Sequence, residues 1–145
     1  MSEHDAMVVR TNAELFRDEV WLILTVDLPA GVHIEPNQPA EPYLIPTVLE
    51  VEGLCEVTIE YPAPVVKDLG WKDLTLTVFE GTLEFIVWGR VRQDTTHIRG
   101  TLSYQPCVGG ACLPPRTVPW MSPLAGTSAY SVLRAFSTER PAVVS

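Results

Sequence analysis

Thirteen prolines are scattered along a chain of 145 residues, nearly twice the usual share of about 5%, and they gather in no single tract. A proline inside a helix removes a hydrogen bond and clashes with the preceding turn, so no long helix fits between them. What lies between them is strand-sized. Asp18 to Leu28 is rich in β-branched and aromatic residues and stops at Pro29-Ala30-Gly31, which reads as a strand closed by a turn. Pro36, Pro39, Pro42 and Pro46 make the next stretch an extended loop with one short strand, Val32-His33-Ile34. Thr47 to Val51 is a further strand. Leu54 to Tyr61 alternates, which predicts Cys55, Val57, Ile59 and Tyr61 on a buried face and Glu56, Thr58 and Glu60 on the other.

Downstream, Leu74 to Phe79 and Thr82 to Trp88 read as strands on either side of a turn at Glu80-Gly81. His97 to Gln105 continues the pattern, with Ile98, Leu102 and Tyr104 expected inside and an irregularity expected at Gly100. Arg116 to Trp120 is a last short strand, and Ser128 to Phe136 is the one segment suited to a helical turn or two. Short strands separated by turn signals, with no alternating helices, predict an all-β chain: an antiparallel β-sandwich, with a barrel as the alternative. A hydrophobic share of 46% and a charged share of 19% supply one core, so residues 1–145 read as one domain, monomeric, with its core at about residues 18–122. Of Trp21, Trp71, Trp88 and Trp120, three or four are expected in that core.

Charge excludes several partners. Ten Lys and Arg against 18 Asp and Glu give a net charge of -8, the wrong sign for nucleic acid or an anionic membrane surface. No apolar run approaches the roughly 18 residues of a membrane span; Val20 to Val26 is strand-sized and interrupted by Thr25. Met1-Ser2-Glu3-His4-Asp5 lacks the basic-then-apolar pattern of a secretory signal, so the expectation is a cytosolic chain, a mature form, or a piece of something longer. No close carboxylate pair, glycine-rich phosphate loop or nucleophile elbow stands out.

Three cysteines allow at most one internal pair. Cys107-Val108-Gly109-Gly110-Ala111-Cys112 places two of them around a small, flexible loop, where glycine supplies the positive φ that folds the ends together. Three readings compete. Zinc would need two more ligands, and His4, His33 and His97 show no metal spacing. A fixed disulfide across so short a loop would stabilise little. A redox-active pair suits a small loop that a partner's thiolate can approach in line. Cys55, on its alternating strand, reads as the spare thiol, buried as a small hydrophobe. His33 reads as anchoring a loop through a hydrogen bond.

Tyr104-Gln105-Pro106-Cys107, with Cys112-Leu113-Pro114-Pro115, resembles the cysteine motif of the N-terminal domain of the thiol:disulfide interchange protein DsbD. Leu28 to Ile34, Glu60-Tyr61-Pro62-Ala63-Pro64 and Val78-Phe79-Glu80-Gly81 are similar to further stretches of that family, so the likeness runs from about residue 20 to 120. The resemblance implies an immunoglobulin-like sandwich in the periplasm that relays electrons between thioredoxin-fold proteins and needs no cofactor or metal. It implies Cys107 and Cys112 as the redox pair, Cys112 bonding the partner and Cys107 resolving. It also implies a cap over the pair from Val66 to Trp71, with Leu69 or Trp71 as apolar cover and Asp68 as a nearby charge. Arg116, the nearest cation, and Tyr104 are supporting candidates. The chain departs from the family pattern at Val32 and Glu35, where aromatics are frequent, and in Lys67 to Trp71, which lacks the acidic-aromatic signature. The membrane and thioredoxin-like parts of the interchange protein are absent here, which leaves an excised domain, a stand-alone homologue, or the tail of a redoxin fusion in the cytoplasm. The rival to a redox relay is a non-catalytic interaction domain with a fixed disulfide.

Overall fold

The computed structural model of the chain describes residues 7–68, 75–92, 94–124, 129–134, 137–138 and 141–142. Its strands are β1 (Val8–Phe16), β2 (Glu19–Asp27), β3 (Val32–Ile34), β4 (Val48–Glu52), β5 (Leu54–Glu60), β6 (Val65–Asp68), β7 (Thr75–Glu80), β8 (Thr82–Val91), β9 (His97–Tyr104), β10 (Cys107–Val108), β11 (Ala111–Cys112), β12 (Arg116–Pro123) and β13 (Ala129–Arg134). These pair antiparallel into one sheet ordered β13-β1-β2-β8-β5, a second ordered β12-β9-β4 and a third ordered β11-β10-β3-β7-β6, and two further short strands, Ser137–Thr138 and Pro141–Ala142, pair with each other. Side chains alternate in and out along β2 and β8, so Val20, Leu22, Leu24 and Val26 of β2 and Leu83, Phe85 and Val87 of β8 point to one side of the first sheet. They share one core cluster with Ile34, Leu49, Phe79, Ile98, Leu102, Tyr104 and Trp120 from the other two sheets. The result is the antiparallel β-sandwich expected, closed around that single core.

β7 and β8 illustrate how the layers are joined. They flank the Glu80-Gly81 turn, but β7 pairs with β3 and β6 whereas β8 pairs with β2 and β5. The chain therefore changes sheets at Gly81, whose φ of 77° suits glycine, and the Leu28 N–H donates to the Gly81 carbonyl at 3.0 Å to hold that corner.

Several expectations need correction. β1 precedes the first anticipated strand and pairs with β2 along its whole length. Ala129 to Arg134, expected as helix, pairs instead with Val8 to Ala13 as a strand, because the open edge of β1 offers a ladder. β5 does not keep its alternation: a bulge falls between Cys55 and Thr58, and Glu56 takes a φ of 54°. One inserted residue swaps the faces, so Leu54, Ile59 and Tyr61 turn inward while Cys55 and Val57 are exposed. Gly100 is no irregularity; it sits in register with both Val51 and Trp120, and a Cβ there would collide with the Glu50 carbonyl and the Trp120 ring. Trp120 is buried against it, but Trp21 is 53% exposed and stacks on half-buried Trp88 at 5.1 Å. Trp71 lies outside the described residues.

Candidate functional site

β9 and β12 form a hairpin whose ladder runs from His97 opposite Pro123 to Tyr104 opposite Arg116. Beyond that point Pro106, Pro114 and Pro115 lack backbone donors, so the ladder cannot continue unchanged. The intervening chain makes its own small hairpin, β10 with β11, which leaves β9 and joins β3 of the neighbouring sheet. Gly109, the first central residue of its two-residue turn, has a φ of 59°, the position at which a type II′ turn requires glycine. A Cβ on either Gly109 or Gly110 would meet nothing within 4 Å, so the tip is open to approach.

Cys107 and Cys112 lie directly opposite in this ladder and form a disulfide of 2.04 Å with Cα atoms 4.0 Å apart. The adjacent pair is closed by the Leu113 N–H donating to the Pro106 carbonyl at 2.8 Å, which leaves the cysteines as the close, non-hydrogen-bonded pair. The Gln105 side-chain amide donates to the Leu113 carbonyl at 3.1 Å and ties the base of the loop. The two sulfurs have unlike surroundings, since Cys107 is 3% exposed and Cys112 is open to solvent.

Register then gathers the other groups. Cys107 pairs with His33 of β3, and His33 pairs with Glu80 of β7. Glu80, His33, Cys107 and Cys112 thus stand in one row across four strands with their side chains on one face. They line a groove of about 920 Å³ whose other walls include Leu28, Pro29, Leu44, Leu76, Lys67 and Glu35. Lys67 and Glu80 form an ion pair at 2.9 Å. Burial holds the His33 imidazole below its ordinary range, with Glu80 opposing and Lys67 reinforcing the shift. Glu35 is 5% exposed, and its Oε1 has no hydrogen-bond partner among the described residues. Burial pushes its carboxyl above the usual range. Thr47 fixes the backbone beneath it, its hydroxyl donating to the Glu35 carbonyl at 2.5 Å.

Of the residues singled out from sequence, Cys107 and Cys112 come together in this groove. Tyr104 belongs to the core and Arg116 stands opposite it in the ladder; neither lines the groove. Asp68 ends β6 opposite Thr75, one residue beyond groove-lining Lys67, and its side chain, with Leu69 and Trp71, lies outside the described residues. Val66 is exposed. Sequence reasoning gave no site role to Glu35 or Glu80, included Lys67 only within the expected cap from Val66 to Trp71, and took His33 for a loop anchor. A pattern of charged residues in apolar stretches was the available signal, but it does not say which strands adjoin.

A family model described as the N-terminal part of the thiol:disulfide interchange protein DsbD matches residues 2–119. Among solved structures, the N-terminal periplasmic domain of ScsB from Proteus mirabilis is similar with a TM-score of 0.68 at 17% identity, covering 88% of this chain and 50% of that one. The chain therefore spans about half the length of that domain. The reduced DsbD N-terminal domain of Neisseria meningitidis is similar with a TM-score of 0.54 at 13% identity, covering 91% of this chain and 94% of that one. At such identities the likeness is one of fold, an immunoglobulin-like β-sandwich. No individually curated protein matches the chain.

Proposed function

Because the chain belongs to the family of DsbD N-terminal domains, we propose that it exchanges electrons with thioredoxin-fold proteins outside the cytoplasm through Cys107 and Cys112. The observation that carries this reading is the unequal exposure of two bonded sulfurs that face one groove. Thiol-disulfide exchange needs a thiolate to approach one sulfur along the bond while the other leaves. Cys112 is the sulfur a partner can reach. Its attack by a partner thiolate forms the mixed disulfide, breaks the bond to Cys107 and leaves Cys107 as a thiolate. The partner's second thiolate then attacks its own sulfur in that mixed disulfide and frees Cys112. Two electrons have passed from the partner dithiol, now a disulfide, to this domain. Oxidation of the domain runs the same steps backward, with Cys107 attacking Cys112 to release the partner.

Cys107→Ser should accumulate a mixed disulfide through Cys112, and Cys112→Ser should trap none, as read on non-reducing gels with a thioredoxin-fold domain. Equal trapping by both variants, or by neither, refutes the assignment. A reduction potential below about -300 mV with resistance to thioredoxin would mark the bond as a fixed staple.

A further inference from the structure

The exchange scheme uses neither of the described acids of this groove, and of the two Glu80 is already paired with Lys67, which leaves Glu35. Cys107 stands directly across from His33, and Glu35 lies one residue beyond the end of β3, before Pro36, where an extended backbone is favoured; continuing the register puts it diagonal to Cys107. Diagonal neighbours across an antiparallel pair are about 7–8 Å apart at the backbone, a span that a long side chain crosses. Both residues line the same groove, and both are buried in it. A buried carboxyl oxygen with no hydrogen-bond partner among the described residues costs stability, which marks Glu35 as a group to account for. The other described charged groups on these walls are His33, Lys67 and Glu80, and Lys67 and Glu80 are engaged with each other.

We propose that Glu35 handles the proton of Cys107, giving it to the Cys107 thiolate when the disulfide opens and taking it back when Cys107 closes the bond. The inference rests on the exchange reading above. On opening, the Cys107–Cys112 bond breaks, the electron pair stays on the Cys107 sulfur, and the proton of the Glu35 carboxylic acid passes to it, directly or through one water. On closing, the Cys107 thiol returns that proton to the Glu35 carboxylate and its sulfur attacks Cys112, breaking the bond from Cys112 to the partner sulfur, which leaves as a thiolate. Over a full cycle Glu35 is unchanged and the electrons travel through sulfur alone. The buried setting that favours the neutral acid also brings its proton affinity nearer to that of a thiol, as proton transfer requires.

Two measurements test this. In the intact chain, carbon NMR of the Glu35 carboxyl is titrated in the oxidised and the dithiothreitol-reduced forms. Its midpoint should differ between them, because a titrating Cys107 is present in one form only; identical midpoints overturn the proposal. Glu35→Gln keeps the side-chain shape and removes the proton. It should slow single-turnover exchange with reduced thioredoxin roughly 100-fold, at the low end for general acid–base groups, while lowering the midpoint of Cys107 alkylation in the Cys112→Ser background. A lower thiol midpoint with unchanged or faster exchange would mean that the carboxylate acts only as a charge, and overturns the proposal. Should the wild-type chain fail to exchange at all, the electron-relay reading falls, and the NMR titration, which uses no partner and no variant, still decides the role of Glu35.

Discussion

Reducing the Cys107–Cys112 bond should loosen the protein only slightly, and the size of the effect separates a working redox pair from a structural staple. The bond joins residues 5 apart. For so short a closed loop, the chain-entropy relation gives about 2 kcal/mol at 25 °C. The rest of the hairpin does not depend on sulfur: the bond from Leu113 to the Pro106 carbonyl, the Gln105 bond to Leu113 and the ladder from β10 to β3 all remain available to the dithiol. Urea unfolding of the oxidised and the dithiothreitol-reduced chain at one pH should therefore differ by about 2 kcal/mol or less, a fall of at most about 8 °C in Tm for a domain of this size. By linkage, folding should make the pair harder to reduce than in the unfolded chain by only about 40 mV. A reduced chain that unfolds, or a loss above about 4 kcal/mol, would refute the reasoning.

Cys55 should react with one equivalent of a maleimide in the native, oxidised chain without denaturant, because the bulge turns it outward; labelling that waits for unfolding would restore the buried strand. Gly100→Ala should cost about 3 kcal/mol or more, read as a fall in the urea midpoint, since its methyl would overlap the Glu50 carbonyl and lie 2.7 Å from a Trp120 ring carbon. His33 binds fewer protons in the folded chain than in the unfolded one, because burial lowers its pKa from 6.5. Its contribution to stability should thus be complete above about pH 6.5 and fall away as pH drops through that value, and His33→Gln should remove that part of the pH dependence of the urea midpoint.

Where strands alternate between bulky apolar and polar residues, as in β2, β8 and β9, the sequence is enough to place them. β1 follows the same period, but its inward positions include Thr11 and Ala13, which are small or polar and do not stand out. Cys55 shows the opposite failure. Its strand looks regular, yet a single inserted residue exchanges its faces, and nothing in the alternation itself reveals the insertion. The cysteine pair is legible because it is local, with glycines and prolines marking the turn and its limits. Glu35 and His33 are not, because they come to the disulfide only through the pairing of β10 with β3, strands more than seventy residues apart in the chain.

The same distinction bears on the chemistry. Cys107 and Cys112 face each other across a ladder and so share one face, which means that the parity of the strand cannot make one buried and the other open. Their difference comes from sheet order: β10 has β3 on its far side, whereas β11 is an edge. Cys107, on the inner strand, is buried, and Cys112, on the edge strand, is exposed. On the exchange reading proposed above, the roles of attacked and leaving sulfur follow from where the hairpin docks, with β11 at the sheet edge and β10 inside it.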